Sequence, residues 1–391
     1  MAQGLSYSHA SIMSSAPPPD RQRRLALAAL ACPGARAWAG PSRATGSAHV
    51  AVLGAGMAGL SVALALQQAG LRVTVLEAQP RVGGRNWTLR GGDPVPDLFG
   101  EAQTCTFSSG QSLNAGPWRL LDAHHRVLAL ARRFGIALEP VDPTRPALGQ
   151  EPVGGMDALP HAMATALVNP VQTGCAVHRV RRLAPPQGAG VQISYRHQGA
   201  EHTLDADAAV LALPLHRLGA LNLDLPDALR AALRRVQVAD AIKMAFETVS
   251  RPFAPPDTEP DADLRLLWPN TTPQRIVTLY GNQTALKERL PPTRPEQIAF
   301  AAAHLREAAA DPALPLDQPL VVQWARVPVV LGAAARLPPG DTDAWHRLRA
   351  GVPPLFFASD ALSTLNGWQE GALESAQRAV QSLMRHLHLA R

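Results

Sequence analysis

The chain has 391 residues, 46% hydrophobic and 17% charged, which is enough apolar material for two or three domains with a large core. That excludes a disordered chain, and Gly 30 with Pro 36 shows no collagen-like period. The net charge of +6 comes from scattered arginines without interleaved aromatics, so neither the charge nor its layout describes a nucleic-acid groove.

Three cysteines, Cys32, Cys105 and Cys175, are too few for a disulfide framework and too far apart for a metal knuckle, so no metal site is expected. Lysine is nearly absent: Lys243 and Lys287 stand against 35 arginines. A chain that uses arginine almost everywhere makes each remaining lysine worth a question.

Taken in chain order, Arg23-Arg24 precede the apolar run Leu25 to Ala31, and Ala37-Trp38-Ala39 supplies a small-x-small cleavage pattern. These features read as a twin-arginine export leader, which would deliver the protein to the periplasm or the medium. The run is too short for a permanent membrane span, and no later segment is apolar enough for one. Ala29 makes Cys32 a poor lipid-anchor site. Residues 1–47 are therefore set aside as leader and linker.

His49-Val50-Ala51-Val52-Leu53 is a short β-type run that leads straight into Gly54-Ala55-Gly56-Met57-Ala58-Gly59. Helical character follows from Leu60 to Ala69 and closes at Gly70. Leu71 to Leu76 is a second strand, and it ends at Glu77. This complete strand–turn–helix–strand unit is the fingerprint of a dinucleotide site. Gly54 allows the tight turn, Gly56 lets backbone approach a pyrophosphate, and Gly59 lets helix and strand pack closely. The helix N-terminus offers its unpaired N–H groups to phosphate. Glu77 suits ribose hydroxyls and would repel a 2′-phosphate. Beyond it runs Ala78-Gln79-Pro80-Arg81-Val82-Gly83-Gly84-Arg85, where two glycines and an arginine can wrap the same pyrophosphate a second time, which suits a dinucleotide that stays bound.

At this point the sequence resembles the flavin-containing amine oxidases. The resemblance implies an α/β fold in which a Rossmann-type FAD-binding domain is joined to a mixed-sheet substrate domain. It implies FAD as cofactor, with Gly54, Ala55, Gly56, Met57, Ala58, Gly59, Glu77, Ala78, Arg81, Gly84 and Arg85 as contacts. Cys175 to Val180 resembles the strand whose valine backbone meets the adenine, which carries over Val177. Leu355 to Asp360 resembles the last strand of that domain, with Asp360 where the family more often has a glutamate. Asn366-Gly367-Trp368-Gln369 resembles the turn beneath the flavin ring, which carries over Gly367 and Trp368.

Within that family, Asn114-Ala115-Gly116-Pro117-Trp118-Arg119 is most similar to the L-amino acid oxidases. Gly116, Pro117 and Trp118 are implied as cofactor contacts and Arg119 as the grip on a substrate carboxylate, a pairing that suits a planar guanidinium. Tyr280 matches the tyrosine that supports the same carboxylate, and Trp324 and Trp368 match pocket aromatics. Lys243 lies in the alternating run Ala241 to Phe246, where a lysine either points to solvent or serves a buried site. The family's lysine holds a water against the flavin, which makes Lys243 the catalytic candidate.

Two departures qualify the resemblance. Leu331 to Ala335 offers no cysteine for a thioether, so non-covalent FAD is expected, and Ala333 removes one wall of a two-aromatic amine cage. Gln150 to Leu159 follows Phe134 to Pro140 almost directly, so the helical insertion that roofs the family's substrate funnel is missing. An open pocket, a roof supplied by a homodimer or partner subunit, and lost activity all remain alternatives. His124-His125 reads as a solvated helix face. The expected division is an FAD-binding domain of 48–125, 170–238 and 345–391, a residual helical segment at 126–169, and a substrate-binding domain at 239–344. The leading functional expectation is oxidation of an L-amino acid, with dioxygen or a quinone as acceptor. An amine or polyamine oxidase, a decarboxylating monooxygenase and a non-catalytic FAD-binding subunit are the alternatives.

Overall fold

The computed structural model describes residues 48–143, 145–183, 189–249, 264–267 and 275–389, except the side chains at 283 and 284. The export leader around Arg23-Arg24 and the lipid-anchor question at Cys32 lie outside the described residues. At the centre is a four-stranded parallel sheet. His49–Leu53 runs between Arg72–Leu76 and Ala208–Leu211, and Leu355–Phe357 completes the far side. Every residue of His49–Leu53 is buried, as a parallel strand covered on both faces requires. One face packs against the helices Met57–Gln68 and Gln369–His386 through Leu60, Leu64, Ala376 and Val380. The other carries Leu215, Leu229, Leu233 and Leu348.

Gly59 decides how closely the first helix approaches the sheet. A Cβ built there would sit 1.9 Å from the Gly54 carbonyl oxygen, and both are backbone-anchored. Gly54 itself has φ +105° and leaves only 2.6 Å for a Cβ beside the Ala212 carbonyl. Gly59→Ala is expected to lower stability by about 3 kcal/mol through overpacking that no rotamer relieves. Chemical denaturation would measure it, and an unchanged midpoint would contradict this packing.

A second sheet is built from Leu264–Leu267, Ile276–Asn282, Ala241–Glu247 and Asp317–Gln323 in that order. It is antiparallel in every pair, where the sequence suggested a mixed sheet. The mixed sheet is a third one, Ala200–Ala206, Gly190–His197, Ala176–Leu183 and Asn222–Leu223, in which only the last pair is parallel. Ala241–Glu247 is buried on both faces because its alternate residues serve different cores. Ile242, Met244 and Phe246 pack under the helix Arg294–Ala308, whereas Ala241 and Ala245 face Trp87 and Trp324. Lys243 therefore points to the Trp324 side.

The described residues belong to one compact unit, Gly40–Arg391, and Gln237–Ala239 pairs with Ala334–Arg336 across the boundary expected at 239. The stretch expected as a residual helical segment has α-helix only at its ends, His125–Arg133 and Ala158–Thr165, with one 3-10 turn at Pro146–Leu148. Between them Leu138–Pro140 pairs with Gln150–Pro152 as a hairpin. Pro140, Pro152 and the positive-φ residues Gly149, Gly154 and Gly155 are incompatible with continuous helix there. No helix among the described residues is long and apolar enough to cross a membrane.

Candidate active site

A cavity of about 480 Å³ runs from the first helix N-terminus to the open face of the antiparallel sheet. At one end Gly54, Gly56, Met57 and Ala58 present the helix N-terminus, whose N-cap Gly56 has no side chain to occupy the leading N–H groups. Glu77 closes the adjacent strand and is buried. Its carboxylate accepts hydrogen bonds from the backbone N–H of Ala55 at 2.7 Å and of Gln79 at 2.8 Å. Burial pushes its pKa above the ordinary carboxylate value even against those bonds.

Midway, Asp360 lies three residues beyond the last parallel strand and pairs with Arg85 through both guanidinium nitrogens. The Gly367 N–H donates to the same carboxylate at 3.0 Å, and Arg85 also donates to the Ala333 carbonyl at 2.7 Å. Burial alone would raise the Asp360 pKa, but the Arg85 guanidinium and these donors hold it below its ordinary value. Trp368 stands on the turn after Gly367, edge-on to His124 at 4.7 Å.

At the far end the sheet register sets Arg265, Tyr280 and Lys243 side by side on neighbouring strands, and all three line the cavity. Lys243 is 2% exposed. Its Nζ donates to the carbonyls of Asn114 and, at 2.8 Å, Gly116. It lies 5.8 Å from the centre of the Tyr280 ring. Burial pulls its pKa down to about 7, with Glu151 opposing the fall. Burial also pushes the Tyr280 hydroxyl up. Opposite this row, the Arg119 guanidinium stacks 4.4 Å above the Trp118 ring and donates to the Leu148 carbonyl at 3.1 Å. Trp324 is buried edge-to-face against Trp87, and its indole N–H donates to the Ala115 carbonyl at 3.1 Å.

The structure thus brings Gly54, Gly56, Met57, Ala58, Glu77, Ala78, Gly84, Arg85, Gly116, Pro117, Trp118, Arg119, Lys243, Tyr280, Trp324, Asp360, Gly367 and Trp368 to one cavity. Ala55, Gly59, Arg81 and Val177 do not line it. Ala55 serves Glu77 through its N–H, and Arg81 stacks on Trp87 and donates to the Gly84 carbonyl. Val177 lies in the third sheet opposite Tyr195 and packs on the aliphatic core below Glu77.

Sequence reasoning missed Arg265 and misplaced His124. His124 is 3% exposed and lines the cavity, because its ring packs on Trp368 from a distant part of the chain. Its Nδ1 accepts the Leu121 N–H, which turns the ring inward, and burial lowers its pKa. No group of three or more His, Cys, Asp or Glu among the described residues is arranged to hold a metal ion.

Residues 57–151 and 147–384 match the family described as flavin containing amine oxidoreductase. Curated relatives include L-amino acid oxidase Lm29 of Lachesis muta, 41% identical over 90 residues, and the L-amino-acid oxidase of Bungarus fasciatus, 43% identical over 90 residues. Each match covers 23% of this chain and 14% of the relative, so the matched stretch spans about a seventh of those proteins. Among solved structures, cyclohexylamine oxidase from Brevibacterium oxydans superposes with a TM-score of 0.66 at 15% identity, covering 88% of this chain and 100% of that one. Putrescine oxidase bound to putrescine superposes with a TM-score of 0.61 at 16% identity, covering 87% and 99%. Sequence family and fold coincide over most of the described chain, and the chain belongs to the flavin-containing amine oxidoreductases.

Proposed function

We propose that the protein binds FAD non-covalently and oxidises the Cα–N bond of an L-amino acid, giving an imino acid that water converts to a 2-oxo acid and ammonia. The residues present fit the dinucleotide. The leading N–H groups at Gly56 to Ala58 suit the pyrophosphate, and Glu77 suits ribose hydroxyls. Arg81 keeps a buried Nη2 without a hydrogen-bond partner among the described residues, a donor left over beside the same turn. Neither Cys105 nor Cys175 lines the cavity, which suits a flavin held without a thioether. When bound, the flavin supplies the hydride acceptor, and its reoxidation by dioxygen would yield hydrogen peroxide.

The observation that carries the substrate class is the sign of the far end. Arg119, Arg265 and Lys243 line it, whereas the acidic side chains in the lining, Glu77 and Asp360, belong to the dinucleotide end. A carboxylate is attracted to such a wall, and a simple alkylammonium without one is repelled. Tyr280, between Arg265 and Lys243, adds a hydroxyl donor. Trp324 and Trp368 exclude water from the apolar flank.

The test is anaerobic mixing of FAD-loaded protein with L-amino acids and with primary amines that lack a carboxylate. Amino acids are expected to bleach the oxidised flavin band and amines are not. Arg119→Ala and Arg265→Ala should each raise the half-saturating amino acid concentration roughly 10- to 100-fold, the loss of a charge-assisted hydrogen bond. Equal bleaching by amines, with both variants unchanged, would overturn the assignment. Product analysis, 2-oxo acid against amide, separates the oxidase from a decarboxylating monooxygenase.

A further inference from the structure

Behind the substrate end lies a second cavity of about 180 Å³, and Lys243 and Trp118 form walls of both. Its outer wall is the hairpin Leu138–Pro140 and Gln150–Pro152, inside the stretch expected as a residual helical segment. In that hairpin Glu139 is paired directly across the strands with Glu151, two carboxylates on one face. Like charges so placed repel, so the arrangement calls for a compensating partner.

We propose that Glu151 is a positioning residue that sets whether Lys243 carries a proton, with Asn114 holding the two together. Asn114 touches both. Its backbone carbonyl accepts from Lys243 Nζ, and its Nδ2 donates to Glu151 Oε2 at 2.7 Å. The amide cannot turn over, because its Oδ1 already accepts from Thr88 Oγ1 at 2.8 Å and from the Met156 N–H at 2.9 Å. Glu151 is thereby fixed as an acceptor beside the lysine, and it is the carboxylate that opposes the fall in the lysine's pKa.

The chemical consequence follows from the lysine's own bonds. Two of its N–H groups are committed to the carbonyls of Asn114 and Gly116. The third position carries a proton in the ammonium and a lone pair in the amine. It is therefore a donor in one state and an acceptor in the other, on a residue that lines the substrate cavity. Burial brings Lys243 down to about 7. Burial together with Glu139 brings Glu151 up to about 7, with Lys243 opposing that rise. The two groups titrate as a pair. The other charged or titratable groups facing it are Glu139 and Arg145 in the second cavity, and Arg119, Tyr280 and Arg265 in the first.

This inference rests on the proposed reading of the cavity for its catalytic meaning, but its test needs no turnover. The chain has only two lysines, so whole protein labelled with ¹³C at lysine Cε gives two side-chain signals. Lys287 is exposed and serves as reference, and Lys243→Met assigns the other signal. Titrated with and without FAD, the Lys243 signal is expected to show a near-neutral midpoint. Glu151→Gln should move that midpoint down by one pH unit or more, a tenfold loss of proton affinity, because it removes the opposing negative charge. Glu139→Gln should move it up, because Glu151 then ionises more readily. A midpoint that Glu151→Gln leaves in place overturns the proposal. If that variant does not fold, a midpoint that Glu139→Gln fails to raise overturns it. A protein inactive on every amino acid would refute the substrate assignment while leaving this result readable.

Discussion

Asp360→Ala is expected to lower stability by about 3–5 kcal/mol and to release the flavin, because it leaves the Arg85 guanidinium without its carboxylate. The pair ties together three pieces of chain distant in sequence. Arg85 comes from the loop after Glu77, Asp360 lies three residues beyond the last parallel strand, and Gly367 precedes the helix Gln369–His386. Arg85 also reaches the Ala333 carbonyl, so the wall opposite the cofactor groove loosens with it. Thermal unfolding should fall by roughly 6 °C or more, and FAD should no longer protect. Asp360→Asn keeps the shape and the Gly367 acceptor, so its loss should be smaller. The sign of the pH effect follows from the depressed Asp360 pKa. Its contribution is complete above the ordinary value of 3.8 and is lost as pH falls through the lower folded value. The asparagine variant should therefore show a flatter acid limb. Variants that melt with the wild type and stay yellow would contradict this account.

How much of this was legible in the sequence depends on how local each signal is. The strand, glycine turn, helix and acidic residue from His49 to Glu77 are contiguous, so spacing alone placed them. Lys243 was legible by scarcity, since a second cation type in an arginine-rich chain stands out. Arg265 had no such contrast. It is one arginine among 35, and only strand register sets it beside Tyr280 and Lys243. His124 failed for a related reason. Its helix N-terminus reads as solvent-facing until Trp368, more than two hundred residues on, covers it. Val177 sits on the strand type expected, but its facing follows a register shift that leaves its neighbour His178 unpaired between the Arg179–Ser194 and Val177–Tyr195 pairs. Glu151 was visible within a motif, yet its pairing with Glu139 requires the hairpin inside the stretch expected as a residual helical segment.

Lys243→Met should reduce flavin reduction by an amino acid roughly 10²- to 10³-fold, the usual contribution of a positioned proton donor or acceptor, while leaving the protein folded and yellow. Methionine has nearly the shape of the lysine stem, so the packing between Trp324 and Tyr280 survives. The carbonyls of Asn114 and Gly116 lose a donor, but no buried charge is left alone, because Glu151 sits in an environment that favours its neutral form once the ammonium is gone. Stability should therefore change by less than about 1.5 kcal/mol, and stopped-flow rates rather than melting should carry the effect. The wild-type rate should titrate near pH 7, where Lys243 changes between donor and acceptor, and that limb should vanish in the methionine variant. Lys243→Arg is not a rescue. A guanidinium is planar, larger and permanently charged, so it can neither occupy the two-carbonyl seat as a point donor nor give up its proton near neutrality. A methionine variant within threefold of wild type, with its pH limb intact, would remove Lys243 from the chemistry and leave the carboxylate-binding arginines as the only role for this wall.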